Sequence, residues 1–421
     1  MRGEGVWLWD KSGKKYLDLS GSAAVNFIGH GMGEIAEAMA QQARRLEFAH
    51  TSQFVTEAAE QFAQEVLEFA GDGFRGGAVY FTCGGSEAVE TAFKLARQYQ
   101  VEINQPGRYQ IISRKQSYHG ATLAALAASG NVRRREIYLP MVREFDHVGV
   151  PCCYRCAYDC KDCAQAYAGE LEAALCKNAN QVAAFIFEPV SGATLGAAVP
   201  PEGYVQRVAE ISRRHGVLLI ADEVMTGFGR TGRNFAVEHW QVVPDILVCA
   251  KGIASGYAPL GAVIASARVV EAIASGSGAF THGLTYNAHP VSVSAGRAVL
   301  RRMREQDLVR AAASLGPVLG DSLHELKTLP WIGDVRGLGL LWGVEFVVDK
   351  PSKRPFDSKL NFAGRVAQEA FERGLLVYPI QGCVDGYSGD HVLIAPPAVI
   401  TDEQISWAVE RLQESVQAAA G

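Results

Sequence analysis

The sequence predicts an α/β fold, with a large, doubly wound and mostly parallel sheet in one domain and a smaller α+β domain after it. Three observations lead to this prediction. The chain has 421 residues, a length suited to two domains. Its middle part alternates short apolar segments with segments of helical periodicity, as a doubly wound domain does. Those apolar segments are continuous, which is typical of strands buried on both faces of a parallel sheet.

The strands of the large domain are predicted from short runs that are rich in Val and Ile. They are Ala78–Thr82, Gln110–Ser113, Ala183–Phe187, Val217–Ala221, Asp245–Ala250 and Gly261–Ala265. Helices are predicted between them, at Glu87–Gln100 and Tyr204–His215, and the first repeats its apolar residues at helical spacing. This alternating pattern places the large domain at about residues 42–303.

The C-terminal part has a different pattern, in which strands and helices do not alternate regularly. Strands are predicted at Leu338–Val347 and Val392–Ile394, and helices at Phe362–Arg373 and Asp402–Ala419. We therefore expect a smaller α+β domain at residues 304–421.

Composition and charge exclude several classes of protein. Hydrophobic residues make up 48% of the chain and charged residues 20%, an ordinary balance for a globular protein. The net charge of −5 gives no broad basic field for nucleic acid or an anionic membrane. No apolar run reaches the roughly 20 residues that span a bilayer. The segment Met1–Asp10 lacks the pattern of a secretory signal, so we expect a cytoplasmic protein.

A glycine-rich turn follows the first predicted strand. Cys83-Gly84-Gly85-Ser86 comes directly after Ala78–Thr82 and before a helix, so the amides of Gly85 and Ser86 and the positive helix end suit a phosphate. The spacing is neither that of a P-loop nor that of a dinucleotide fingerprint. A plain glycine turn before a helix would explain the same residues.

Two charged residues follow other predicted strands. Asp222 ends the apolar run Val217–Ala221, where a carboxylate needs a partner, and a protonated pyridine nitrogen would be one. Lys251 follows Asp245–Ala250, where partial desolvation would lower its pKa and make the amine nucleophilic. Each residue alone could be structural. Together with the glycine turn, they supply the three anchors that pyridoxal phosphate needs, for its phosphate, its ring nitrogen and its aldehyde carbon.

Longer motifs connect these anchors to a family. They are Gly5–Asp10, Tyr16–Asp18, Gly29–Gly31, Gly85–Glu90, Ser117–Gly120, Phe187–Val190, Ala221–Gly232, Ala250–Gly252, Thr285–Tyr286 and Ala395–Pro397. Over essentially the whole chain, the sequence resembles the class III (omega) aminotransferases of the fold type I pyridoxal-phosphate enzymes. The resemblance also implies that residues 1–41 form an N-terminal segment that packs with the small domain.

The resemblance implies roles for individual residues. Lys251, Asp222 and Glu188 are the expected catalytic residues. Lys251 binds the aldehyde carbon of the cofactor and, when released by an incoming amine, takes the proton from the substrate Cα. Asp222 pairs with the ring nitrogen, and Glu188 orients groups around the ring.

The remaining implied roles concern cofactor binding. Gly85 and Ser86 bind the phosphate, and Tyr118 and Val224 pack on the two faces of the ring. His119 lies beside the ring, where a purely structural histidine is an equal alternative. Thr285 reaches the phosphate of the neighbouring subunit's cofactor, which implies a homodimer with active sites at the interface.

The chain departs from relatives that bind 2-oxoglutarate through a glutamate–arginine gate. Ala193 stands where the gate Glu would be, and Leu393 stands where the gate Arg would be. Because the gate Glu and the gate Arg are both absent, neither leaves the other as an unpaired charge. The pocket is then expected to be more apolar, and Met225 contributes to this. We therefore expect pyruvate, or a simple aldehyde, to be preferred as acceptor. Arg336 is a candidate for carboxylate binding, although a structural ion pair is the favoured interpretation.

Five of the nine cysteines fall within Cys152–Cys163. The run Cys153, Cys156, Cys160 and Cys163 has enough thiolates for zinc, but only three residues separate its two pairs, far fewer than in zinc ribbons. Surface or redox-active thiols are the favoured interpretation, and we assign no metal site.

The functional hypothesis is an aminotransferase that moves an amino group from an amine or (omega-)amino acid to a keto acid. A phospho-lyase, an aminomutase or a racemase would need the same anchors, because these hold the cofactor and not the substrate. A non-catalytic homologue is disfavoured by the presence of Lys251, Asp222 and Thr285.

Overall fold

The computed structural model of the chain describes residues 1–159, 161–178 and 180–421. Its strands are β1 Arg2–Glu4, β2 Trp7–Trp9, β3 Lys15–Asp18, β4 Ala78–Thr82, β5 Gln110–Arg114, β6 Asp146–Val148, β7 Val182–Phe187, β8 Leu218–Asp222, β9 Ile246–Cys249, β10 Gly261–Ala265, β11 Ile332–Leu338, β12 Leu341–Phe346, β13 Leu375–Leu376, β14 Tyr378–Gln381 and β15 Asp390–Ile394.

The helices complete the secondary structure. They are α1 Gly21–Ala24, α2 Gly33–Arg45, α3 Glu57–Ala70, α4 Gly85–Glu102, α5 Leu123–Ala128, α6 Val132–Arg135, α7 Cys163–Lys177, α8 Tyr204–Arg214, α9 Ala267–Ser275, α10 Pro290–Glu305, α11 Leu308–Glu325, α12 Phe362–Glu372 and α13 Asp402–Ala420. Within the described residues, no helix is both long and apolar enough to cross a membrane.

The large sheet has the strand order β4-β10-β9-β8-β7-β5-β6. The pairs from β9 to β6 are parallel, whereas β10 runs antiparallel to both β9 and β4. The predicted mostly parallel α/β sheet is therefore confirmed, with one reversed strand. Strand β6 was not among the predicted strands, because a three-residue strand carries too little pattern to be recognised.

Helices cover both faces of this sheet, and its central strands are fully buried. Every residue of β7 and β8 is buried. Within β8, Ile220 belongs to the core formed with α4 and α9, while Leu219 and Ala221 belong to the core on the opposite face. Burial on both faces explains why these strands read as continuous apolar runs.

Most element bounds agree with the predictions to within two residues. The strand predicted at Leu338–Val347 corresponds to β12 but begins three residues too early, and the preceding strand β11 was not predicted. The structure has a hairpin there, made by β11 and β12 around Gly339. Gly339 has φ +57°, and a Cβ on it would lie 2.3 Å from the backbone of Thr231. The close approach of the Thr231 backbone requires glycine at this turn.

Two smaller sheets lie outside the large one. One has the order β1-β2-β3-β13, in which the N-terminal strand β3 pairs in parallel with β13 from the C-terminal part. The other is antiparallel, with the order β11-β12-β15-β14. The domain bounds at residues 1–41, 42–303 and 304–421 stay a prediction.

Candidate active site

A cavity of about 210 Å³ lies at one edge of the large sheet. It is lined by eight of the nine residues that the sequence predicts to bind the cofactor, namely Gly85, Ser86, Tyr118, His119, Glu188, Asp222, Val224 and Lys251. A larger surface groove of about 860 Å³, beside Trp342, contains none of them.

Strand direction explains why these residues meet. Glu188 follows β7, Asp222 ends β8, and Lys251 comes two residues after β9. Because β7, β8 and β9 are parallel, their carboxyl ends lie at the same edge of the sheet. Strand β4 is separated from β9 by the reversed strand β10, so it runs in the same direction as β9. Its carboxyl end therefore brings Gly85 and Ser86 to this edge as well.

Lys251 is held in an unusual conformation at the cavity. Its φ is +47°, a left-handed conformation that is strained for a non-glycine residue and common at functional sites. The Nζ atom donates to the carbonyl oxygen of Ala23 at 3.0 Å. Ala23 belongs to α1, whose residues also have positive φ. Burial lowers the pKa of Lys251 to about 8, and the charge of Asp222 opposes this shift.

Asp222 and His119 form a buried pair. His119 Nδ1 lies 2.7 Å from one carboxylate oxygen of Asp222, and the other oxygen accepts from the Val224 amide at 3.1 Å. Within the part of the chain that the structure describes, His119 Nε2 is buried without a hydrogen-bond partner. A carboxylate fixed in this way is suited to hold a cation or a protonated ring nitrogen.

The carboxylate of Glu188 accepts hydrogen bonds from two backbone amides, those of Gly192 and Tyr118. One of its oxygens accepts from the Gly192 amide at 3.0 Å, and the other accepts from the Tyr118 amide at 3.3 Å. Burial raises the pKa of Glu188, and the nearby charge of Asp222 adds to that effect. Glu188 therefore positions Tyr118, the aromatic residue of the cavity wall.

The predicted phosphate-binding turn is the first turn of α4, which begins at Gly85. The amides of a first helical turn have no acceptor within the helix, so they are available to an anion. Ser86 Oγ accepts from the Ala121 amide at 3.0 Å. A Cβ on Gly120, which has φ +139°, would lie 2.6 Å from that Oγ. Glycine at position 120 thus allows the serine to approach the cavity.

Of two further residues predicted to contact the cofactor, Val224 lines the cavity in the single chain and Thr285 does not. Val224 lies against the helix start, since a Cβ on Gly85 would be 3.1 Å from its methyl groups. Thr285 is exposed and does not line the cavity. Its predicted role belongs to the neighbouring subunit's site, and that role stays a prediction.

The two positions of the absent gate lie in one apolar cluster. Ala193 and Leu393 are buried together with Val190, and Met225 packs against them. Ala193, Val190 and Met225 also line the cavity. This side of the cavity is therefore apolar.

Arg336 is buried and already paired. Its Nη1 lies 2.7 Å from Glu345 and 3.1 Å from Asp334, and its Nε donates to the carbonyl of Leu195 at 3.0 Å. The charge of Glu345 raises its pKa against the opposing effect of burial. The structural ion pair expected at Arg336 is thus confirmed.

The cysteine hypothesis extends beyond the described residues, because Cys160 lies outside them. Among the residues that are described, no group of His, Cys, Asp or Glu is arranged to hold a metal ion.

One residue near the site, Arg134, cannot be identified from the sequence alone. Arg134 places its guanidinium carbon 4.8 Å from the centre of the Tyr118 ring. Its only signal in the sequence is the run Arg133–Arg135, which does not indicate which arginine contacts Tyr118.

Comparison with known proteins agrees with this geometry. Residues 1–416 match the sequence model of the family described as aminotransferase class III. The chain is 41% identical to the uncharacterized aminotransferase YodT of Bacillus subtilis, over 99% of this chain and 94% of that protein. It is 34% identical to a diaminobutyrate–2-oxoglutarate transaminase of Halomonas elongata, over 98% and 89% of the two chains.

Solved structures show the same fold. An (S)-enantioselective omega-transaminase from Thermomicrobium roseum superposes with a TM-score of 0.93 at 36% identity, covering 100% of this chain and 92% of that one. A transaminase from a marine Virgibacillus also has a TM-score of 0.93, at 34% identity and the same coverage. The chain has the fold of the type I pyridoxal-phosphate transaminases, and it is an enzyme that belongs to the class III aminotransferase family.

Proposed function

We propose that this aminotransferase uses pyridoxal phosphate to move an amino group from an amine or (omega-)amino acid to a keto acid, with pyruvate preferred over 2-oxoglutarate. One observation carries the proposal. The amine of Lys251, the carboxylate of Asp222 and the first turn of α4 all face one cavity.

The residues present fit this cofactor. The first turn of α4 offers amides to its phosphate, and Gly120 leaves room for Ser86 beside them. Asp222 offers a buried carboxylate, fixed by His119, to a protonated ring nitrogen. When bound, pyridoxal phosphate supplies an electrophilic aldehyde carbon and a ring that withdraws electrons from a substrate bond.

The protein's own residues then do the proton chemistry. With a pKa of about 8, roughly a tenth of the Lys251 amine is neutral at pH 7, far more than for an ordinary lysine. The neutral amine can take a proton from the substrate Cα and return it. Its bond to the carbonyl of Ala23 gives the side chain a second resting position when it is not attached to the cofactor. Glu188 keeps Tyr118 in place through its backbone amide.

The preference for pyruvate is supported by the apolar cluster around Ala193 and Leu393. A second carboxylate, as in 2-oxoglutarate, would need a cation on this side, and burying it without one would be costly. The small methyl group of pyruvate has no such requirement.

The exposure of Thr285 supports the proposal of a homodimer in which this residue contacts the partner's cofactor phosphate. The free chain leaves the hydroxyl-bearing side chain of Thr285 open to solvent. A cytoplasmic location, expected from the sequence, stays a prediction.

The visible spectrum of protein reconstituted with pyridoxal phosphate tests the proposed reaction. An amine donor should bleach the yellow band, and pyruvate should restore it with release of alanine. A Lys251→Ala variant is the control, and it should complete neither step. A band that persists while ammonia, phosphate or an isomer of the substrate accumulates would replace the proposal with a lyase or aminomutase.

A further inference from the structure

The short helix α6, at Val132–Arg135, is fixed firmly beside the cavity. The buried side chain of Asn131 caps it by accepting from the Arg134 amide at 3.3 Å, and the same side chain donates to Gln116 at 2.9 Å. At the other end, the buried Arg135 donates to the carbonyl of Ser129 at 3.2 Å. These contacts hold the backbone of α6, from which the side chain of Arg134 extends.

The guanidinium of Arg134 lies over the ring of Tyr118, 4.8 Å from its centre, and is half-buried. In the described part of the chain, it has no carboxylate within ion-pair distance and no hydrogen-bond acceptor for its side chain. Both of its neighbours do have acceptors, since Arg133 donates to Gln381 and Arg135 pairs with Glu144. One face of the Arg134 guanidinium is therefore covered by Tyr118, while the N–H donors at its edge have no acceptor among the described residues.

The position of Arg134 brings its charge into the site. It contributes to lowering the pKa of Lys251, after the larger effects of burial and of Arg230. Tyr118, on which it stacks, lines the cavity. A cavity of about 210 Å³ is below the roughly 300–1,000 Å³ of most ligand sites. A substrate that binds next to a cofactor would therefore extend beyond this cavity. Arg134 does not line the cavity itself, but it contacts the wall of the cavity through Tyr118.

The other arginines close to the site are already bonded. Arg230 donates to the carbonyls of Pro396 and Asn26, and Arg114 donates to the carbonyl of Glu188. Arg336 is paired with Glu345. Arg114 keeps an unbonded Nε, but that atom is buried. Arg134 is partly exposed, and among the described residues none of its side-chain donors has an acceptor, so it can receive an incoming carboxylate.

We propose that Arg134 is the specificity-determining residue that binds the carboxylate of the keto acid acceptor, in place of the absent gate arginine. This inference rests on the proposed function. An arginine can bind a carboxylate through two parallel hydrogen bonds while its face remains stacked on an aromatic ring. The apolar side at Ala193 and Met225 then receives the remainder of a small acceptor such as pyruvate.

The test compares Arg134→Met with Arg133→Met, a matched variant of the neighbouring residue. Pyruvate and the uncharged acceptor propanal are each assayed with the same amine donor. We expect Arg134→Met to lower kcat/KM for pyruvate about 10-fold to 100-fold, and for propanal by no more than about twofold. Arg134→Lys should recover part of the loss. Equal losses on both acceptors would show that Arg134 only supports Tyr118 and would overturn the inference.

Binding without turnover separates this inference from the proposed function. Ligand-observed NMR on the reconstituted enzyme should detect propionate but not propanamide, and the Arg134→Met variant should lose the propionate signal. If the wild-type enzyme transfers no amino group to any keto acid, the proposed function fails, while the propionate result still decides the role of Arg134. If the wild-type enzyme uses pyruvate and Arg134→Met uses it equally well, only the role of Arg134 is wrong.

Discussion

His119 Nδ1 lies 2.7 Å from a carboxylate oxygen of Asp222, and both side chains are almost completely buried. The two residues are far apart in sequence and meet at the end of β8. The histidine gives the carboxylate a fixed orientation and a hydrogen-bond donor, which a buried carboxylate requires. We therefore regard His119 as a positioning residue for Asp222.

Replacing His119 with Ala should weaken cofactor binding without unfolding the enzyme. Loss of a hydrogen bond to a buried charged group costs about 1.5–3 kcal/mol, so the Kd for pyridoxal phosphate should rise about 10-fold to 100-fold. The Kd is measured from the visible band on titration of the apoenzyme. His119→Asn keeps a donor and should retain more affinity. An unchanged Kd in the Ala variant would rule out the positioning role.

The rate at which the apoenzyme captures pyridoxal phosphate should depend on pH through Lys251. Only the neutral amine attacks an aldehyde, so the rate should rise with pH around a midpoint of about 8, well below the ordinary lysine value of 10.5. In Asp222→Asn the midpoint should fall, because Asp222 favours the charged amine. Stopped-flow absorbance measures the rate. A midpoint near 10.5 would contradict the desolvated environment.

The same pKa shift has a consequence for stability. Between about pH 8 and pH 10.5, Lys251 is neutral in the folded apoenzyme and protonated in the unfolded chain. The unfolded state then binds more protons, so this residue makes the free energy of unfolding rise with pH in that window. Urea unfolding of wild-type and Lys251→Met apoenzyme should show a steeper rise with pH for the wild type. Parallel curves would exclude this contribution.

The apolar cluster around Ala193 and Leu393 predicts which acceptor the enzyme prefers, and it predicts that a charge placed there will destabilise the fold. The wild-type enzyme should have a higher kcat/KM with pyruvate than with 2-oxoglutarate. Leu393→Arg would bury a charge beside Ala193 and Val190, which should destabilise the fold by about 3–5 kcal/mol. Leu393→Met preserves the apolar contact and is the control. Thermal unfolding and acceptor kinetics measure the two effects, and equal use of both acceptors would refute the preference.

The position of Thr285 predicts complementation between subunits. Lys251→Ala and Thr285→Ala chains should each be impaired alone. In a mixed dimer, one site would combine an intact Lys251 with an intact Thr285 from the other chain. Mixing should therefore restore tight cofactor binding and activity in about half of the sites of that dimer. If Thr285 served its own subunit, mixing the variants would restore nothing.

Several features could be predicted from the sequence because they depend on short segments. The strand β4 and the positions of Asp222 and Lys251 follow from apolar runs and from the residues that end them. The reversed direction of β10 could not be predicted, since its apolar pattern is the same in either direction. The turn at Gly339 was missed because the backbone of Thr231, distant in sequence, imposes it.

By itself, the sequence determined the α/β class, the family and the three anchors at the sheet edge, because strand burial and the residues at strand ends are local properties. Only the tertiary structure decided how side chains pair across that edge. It brought His119 to Asp222, Arg134 to Tyr118 and the carbonyl of Ala23 to Lys251. These contacts join residues from different elements, and their distances depend on strand order and helix placement, which local periodicity does not specify.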